Sequence, residues 1–149
     1  MKKKTLVIGG TKGIGKAIKA ELLDHECFIV SRSESTLPNH FMVDAQTGDL
    51  PEIDGLTGLV YCPGSINLKP FHRLTQEDFI DDYQKNVLGA VRVLQFYFRT
   101  LKKNQGSVVL FGTVASQQGM PFHASIATAK GGLESLARSL AAEWAPNIR

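Results

Sequence analysis

Apolar and polar positions alternate along this chain in two distinct rhythms. Short continuous apolar runs, such as Phe28-Ile29-Val30 and Val108-Val-Leu-Phe111, are separated by longer amphipathic stretches. Continuous apolar runs of that length suit strands of a parallel sheet covered on both faces. The pattern predicts strands near 5–9, 27–31, 40–43, 57–61 and 107–112. It predicts helices near 13–25, 75–84, 86–103 and 123–145. Strand and helix alternate, which implies an α/β domain with right-handed crossovers. The segment 44–56 carries Gly48, Pro51 and Gly55, so that crossover reads as a loop or a single turn.

The first strand, Thr5-Leu-Val-Ile8, runs directly into Gly9-Gly-Thr-Lys-Gly-Ile-Gly15. Ile14, Ile18 and Leu22 then repeat at a spacing of four, the mark of a helix face. Glycines in such a turn let the backbone approach a pyrophosphate, and the helix N-terminus offers unpaired N–H groups and a positive dipole end. Glycines also make ordinary tight turns. Their position between a first strand and a first helix is the one the phosphate cradle requires. A doubly wound sheet built around that turn has the order 3-2-1-4-5, with the ligand at the switch between strands one and four.

Two helices carry more apolar surface than one stripe. The stretch 86–103 has Val87, Leu88, Val91, Leu94, Phe98 and Leu101 on one side, with Val93, Phe96 and Tyr97 spilling round it. The stretch 123–145 carries Ala129, Leu133, Leu136, Leu140 and Trp144. Such width means two-sided burial or a subunit interface. Five strands are counted where a dinucleotide-binding sheet usually has six, so the C-terminal strands are expected to be missing.

Composition narrows the picture little. The chain has 149 residues, 43% hydrophobic and 21% charged, with net charge +3, which is enough for one domain over residues 1–149. Lys2 to Lys4 read as a solvated N-terminus. No basic stripe interleaved with aromatics points to nucleic acid. No secretory signal or membrane-length apolar span is visible. Cys27 and Cys62 have no metal-ligand spacing and read as buried free thiols in a reducing, cytoplasmic setting. After the second strand the chain reads Ser31-Arg32-Ser33, where an NAD-binding protein usually places an acid. Arg32 offers a planar fork of donors to a 2′-phosphate, and Lys12 adds a second cation. The pattern therefore favours NADP(H) over NAD(H).

Taken together, these residues resemble the short-chain dehydrogenase/reductase family, in order and along the whole chain. Gly9, Gly13 and Gly15 match its Thr-Gly-x-x-x-Gly-x-Gly turn, with Ile8 in place of the Thr. The resemblance makes Gly9, Thr11, Lys12, Gly13, Ile14, Gly15, Ser31, Arg32, Asp44, Gly64 and Lys130 the expected cofactor contacts. Asp44 stands where the family's Asp faces the adenine. Tyr61-Cys-Pro-Gly64 replaces Asn-Asn-Ala-Gly. Asn86 matches the active-site Asn, Thr113 stands at the catalytic Ser, and Lys130 is the Lys of Tyr-x-x-x-Lys. In the family that Lys lowers the Tyr pKa and holds the nicotinamide ribose.

The chain departs from the pattern where the chemistry is done. Four residues before Lys130 stands Ile126, which has no proton to give. Thr113 keeps a hydroxyl, with a methyl that restricts its rotamer. His123 stands seven before Lys130, the spacing of the active-site Tyr in the enoyl reductase branch, and could supply a proton near neutral pH. The plainer reading, and the favoured one, is that it caps or flanks the helix start and does nothing chemical. The resemblance implies an NADP(H)-dependent oxidoreductase acting on a small carbonyl, alcohol or enoyl substrate. It also implies a homodimer or homotetramer paired through 86–103 and 123–145. The alternative is a dinucleotide-binding sensor or assembly subunit without redox turnover. A third reading is a fragment unable to bind. The family's substrate pocket is formed largely by segments beyond the point where this chain stops.

Overall fold

A computed structural model describes residues 2–149. Among them are β1 (Lys3–Ile8), α1 (Gly13–Glu21), β2 (His25–Ser31), β3 (His40–Met42) and β4 (Leu56–Tyr61). After these come α2 (Gln76–Tyr83), α3 (Gly89–Lys103), β5 (Ser107–Leu110), a short α4 (Ala115–Gln118) and α5 (Ala124–Trp144). The five strands form one sheet in the order β3-β2-β1-β4-β5, and every pairing is parallel. The predicted order and the parallel pairing are both found.

Side chains alternate across the sheet. Leu6, Ile8, Val30, Leu59 and Tyr61 point to one face and pack with Val87, Ala90, Leu94 and Leu101 of the α3 column and Ala129 and Leu133 of α5. The other face carries Val7 and Ile29, which lie against Gly10 at the entrance to α1. Helices therefore lie on both faces. On the α1 side the cover is thinner: Val109 of β5 is 46% exposed beside a groove that Ile18 and Leu22 also line. At the outer edge of β5, Arg149 N donates to the Gly106 carbonyl at 3.0 Å, and Val108 N donates to the Arg149 carbonyl at 2.7 Å.

Four details differ from the sequence-based expectation. Helix α1 ends at Glu21 rather than near 25. The strand expected over 107–112 stops at Leu110, and α4 follows. Cys27 and Cys62 are half-buried, and Cys62 lies one residue past β4. The helices expected over 75–84 and 86–103 are one continuous column, joined by a π-helical turn over Gln84–Leu88. In that turn Gly89 N–H bonds the Gln84 carbonyl, five residues back. The Lys85 carbonyl is instead taken by the Tyr61 hydroxyl at 2.8 Å. A side chain at Gly89 would collide with that hydroxyl.

The 44–56 crossover is indeed a loop. A turn closes with Gly48 N on the Asp44 carbonyl at 2.8 Å. The loop is tied down from α3 by Arg92, which donates to the Ala45 and Gly48 carbonyls, and by Tyr97, which donates to the Pro51 carbonyl. The 65–75 segment is organised by Asp78. It closes a capping box with Thr75 at the α2 N-terminus and also accepts from Asn67 and Lys69. Those donors hold its carboxyl down to about 2, the Lys69 hydrogen bond foremost.

Candidate functional site

The glycine turn joins β1 to α1 at the carboxyl end of β1, beside that of β4. Gly9 has φ 79° and Gly13 φ 52°, conformations that side chains disfavour. A side chain at Gly15 would collide with the Gly9 carbonyl, whereas the space beside Gly13 is open. Lys12 occupies the N-cap of α1 without a side-chain cap. The first-turn N–H groups are thus left to a ligand, beside a backbone that only glycine permits. This cradle suits a diphosphate.

From the turn a cleft of about 340 Å³ runs across the ends of β1, β2 and β4. Gly9, Thr11, Lys12, Ser31, Arg32, Asp44 and Gly64 all line it. Gly13, Ile14 and Gly15 do not; they form the start of the helix behind it. Asp44 is oriented by the Gln46 N–H, which donates to its Oδ1 at 2.8 Å. Ser31 lines the cleft but is buried, and its hydroxyl donates to the Ser33 carbonyl at 2.9 Å. Sequence reasoning passed over Ser33, Cys62 and Lys85, which also line the cleft. Burial pushes the Cys62 thiol up to about 11, with nearby Lys130 pulling it down. That thiol stays protonated at neutral pH.

Gly64 is the hinge between the cleft and the chemical end of the site. A β-carbon there would lie 3.2 Å from Asn86 Oδ1 and 3.7 Å from Lys130 Nζ. The two groups therefore approach the same point. Lys130 Nζ donates to the Phe111 carbonyl at 2.8 Å. Burial lowers its pKa, opposed by the neighbouring Cys62 and Glu134 side chains. Asn86 sits in the π turn and is fully buried. Its amide nitrogen donates to the Asp82 carbonyl at 2.8 Å and to Ser65 Oγ at 3.2 Å, leaving Oδ1 unpartnered. Ser65 in turn donates to the buried carboxylate of Asp82 at 2.5 Å. Asp82 carries no hydrophobic-pattern signal, which is why it was missed.

Thr113 is held by its backbone: its N–H donates to Glu134 Oε1 at 3.1 Å. Ser116 Oγ lies 2.7 Å from the same oxygen. The Ser116 hydroxyl and the Thr113 N–H depress the Glu134 pKa, in that order. A side chain at Gly112 would collide with that carboxylate. Glu134 is thus the pin that shapes the Gly112–Thr113 bend. The signal for it was present, since it stands four residues after Lys130 on one helix face.

His123 stands at the N-cap of α5 with Nδ1 2.7 Å from the Pro121 carbonyl. A carbonyl only accepts, so Nδ1 carries the proton and Nε2 of the neutral ring is an acceptor. To act as an acid the ring must hold a second proton. Seven residues separate it from Lys130, roughly 10 Å along the helix. Ile126 is 5% exposed and packs inward. Next to it Ser125 is buried with an unpartnered hydroxyl. Among the described residues no His, Cys, Asp and Glu group could hold a metal, and no helix is long and apolar enough to cross a membrane.

The family model described as Enoyl-(Acyl carrier protein) reductase matches residues 42–149. A 3-oxoacyl-[acyl-carrier-protein] reductase, MabA of Mycobacterium avium, is 30% identical over 152 residues, covering 93% of this chain and 60% of that protein. A tropinone reductase homolog of Arabidopsis thaliana is 30% identical over 171 residues, covering 97% of this chain and 65% of that protein. The chain thus spans roughly three fifths of the length of the curated relatives it matches. Among solved structures, ElxO with NADP bound has a TM-score of 0.86 at 22% identity, over 100% of this chain and 71% of that one. A short chain dehydrogenase family protein from Francisella tularensis has a TM-score of 0.87 at 21% identity, over 100% and 67%. A short chain dehydrogenase from Leptospira borgpetersenii with bound NAD+ has 0.86 at 19%, over 100% and 68%. At these identities the structures attest the fold.

Proposed function

The chain belongs to the short-chain dehydrogenase/reductase family, and from that premise we propose that it binds NADP(H) and serves hydride transfer to or from a carbonyl, alcohol or enoyl substrate. The observation that carries this reading is one continuous cleft. It leads from a glycine-only phosphate cradle, past Arg32 and Asp44, to Gly64, where Asn86 and Lys130 converge. The nicotinamide, when bound, supplies or accepts the hydride. The chain's own groups bind and orient. The α1 N–H groups take the diphosphate, Arg32 and Lys12 the 2′-phosphate, and Asp44 the adenine amino group. Lys130 holds the nicotinamide ribose, with Asn86 Oδ1 turned towards the same point. Thr113 Oγ1 is the hydroxyl offered to a substrate oxygen.

Proton supply is the weak step. Ile126 has nothing to donate, so the proton comes from His123 in its doubly protonated form or from water. General acid catalysis is worth typically ~10²–10⁴-fold, and its loss leaves room for slow turnover of an activated acceptor. The enoyl and 3-oxoacyl groups on acyl carrier protein, in the names of the matched family and of MabA, are such acceptors. A second reading, a dinucleotide-binding sensor or assembly subunit, draws its support from the buried Ile126 alone. A titration with NADPH and NADH, beside NADPH oxidation against ketones, 3-oxoacyl and enoyl thioesters, separates them. NADPH binding with turnover supports the enzyme, binding without turnover supports the sensor, and no binding defeats both. A cytoplasmic location fits either reading.

A further inference from the structure

The loop after β2 is held by two side-chain hydrogen bonds that the cofactor reading leaves unused. Ser31 Oγ donates to the Ser33 carbonyl at 2.9 Å and lies 2.8 Å from Nε2 of His40. Serine has a single hydroxyl proton, and it is spent on Ser33. Towards His40, Ser31 can only accept, so His40 carries a proton on Nε2 and donates it. This contact follows from strand register. His40 pairs with Ile29, and Ser31 is two residues further along β2, so the two side chains share one face of the sheet.

The backbone around His40 is clamped as well. Asn39, at φ 54°, turns the chain into β3, and its carbonyl accepts from Ile29 N at 2.9 Å. Val43 N closes the other side on the Ser31 carbonyl at 2.9 Å. The result is a rigid base under a short exposed turn. His40 is not among the residues that line the cleft, whereas Arg32 and Ser33, on the turn it braces, are. Arginine loses much rotamer freedom when it clamps an anion, and a turn held in one shape lowers the remaining ordering cost.

We propose that His40, acting through Ser31, is a positioning residue for the 2′-phosphate subsite, fixing the Ser31–Ser33 turn so that Arg32 meets the phosphate. This rests on the NADP(H) reading. It also recasts Ser31 as a brace for the turn instead of a direct contact.

The test uses two ligands that differ only in the 2′-phosphate, adenosine 2′,5′-bisphosphate and AMP. Calorimetric titrations compare the wild-type chain with His40→Phe, Ser31→Ala and His40→Gln. Phenylalanine keeps a ring and loses the donor; glutamine keeps an N–H donor. His40→Phe and Ser31→Ala should each lower the bisphosphate-to-AMP affinity ratio by about three- to tenfold, the worth of one modest hydrogen bond, with AMP affinity unchanged. His40→Gln should hold the ratio to within about twofold. An unchanged ratio in His40→Phe and Ser31→Ala overturns the inference, as does an equal loss for both ligands. A wild type without preference for the bisphosphate overturns the cofactor reading itself, and one that binds neither ligand overturns nucleotide binding.

Discussion

At position 32 stands the side chain on which the proposed preference for NADP(H) rests. Arg32 stands on an exposed turn at the rim of the cleft, and no acid takes the ribose position at Ser31. Arg32→Asp should lower NADP(H) affinity by about 10- to 100-fold, as expected for losing a charge-assisted pair, while NAD(H) binding holds or improves. Equal affinities before and after would remove Arg32 from the subsite. The proton donor is tested by His123→Ala against Ile126→Tyr. If His123 is the acid, the first change lowers turnover by roughly 10²-fold or more. If the site is merely disabled, the first does little and the second restores activity. Strong carbonyl turnover insensitive to His123→Ala would sink both accounts. Arg32, Asp44, Asn86 and Lys130 were legible as candidates, because the resemblance sets residue types suited to phosphate, adenine and ribose in a fixed order, and the structure places them along one cleft and at its Gly64 end. Asp82 and Ser65 were not. Each acts through a contact across the fold, and a lone carboxylate or hydroxyl in a sequence gives no sign of what it will face.

Between residue and fold stands the helical column from Gln76 to Lys103. Its two halves were legible from periodicity, and its continuity was not. The π turn adds one residue to a turn, so the apolar phase slips between α2 and α3 and reads as a break. The slip has a cause visible only in three dimensions, the Tyr61 hydroxyl beneath Gly89 and on the Lys85 carbonyl. Gly89→Ala should therefore cost about 1–3 kcal/mol of stability through overpacking. Combined with Tyr61→Phe the cost should be smaller than the sum of the two, because removing the hydroxyl relieves the collision. Thermal melts of both single variants and the double variant check this, and strict additivity would refute the account. The column's N-terminus has its own pH dependence. Asp78 titrates at about 2 in the fold against an ordinary 3.8, so its stabilisation is present above pH ~4 and is lost as pH falls through 2. Amide exchange over residues 67–78 should rise across that window, ahead of the rest of α2, and should not do so in Asp78→Asn.

Among the described residues, the molecule covers one face of its sheet well and leaves apolar surface in several places, two of which bear on association. The first is the outer side of the helical layer. Leu88 and Phe96 of the α3 column are 41% and 46% exposed. Phe98 of α3 and Trp144 of α5 meet with ring centroids 5.2 Å apart. The second is the groove over β4 and β5 on the α1 side, where Val109 is open. Both would favour association, and they predict different assemblies. A helix face presented by two copies closes on itself about a two-fold axis and gives a dimer, or a dimer of dimers, whereas a heterologous contact made through an edge groove need not close. Pairing through helices 86–103 and 123–145 needs roughly 800 Å² from each partner, and two helices offer more area than a single strand does. Sedimentation at micromolar concentration should therefore show a discrete dimer or tetramer. Phe96→Glu should convert it to monomer without changing the far-ultraviolet circular dichroism, and Val109→Lys should leave it intact. The reverse pattern would move the interface to the groove, and a monomeric wild type would remove it from both.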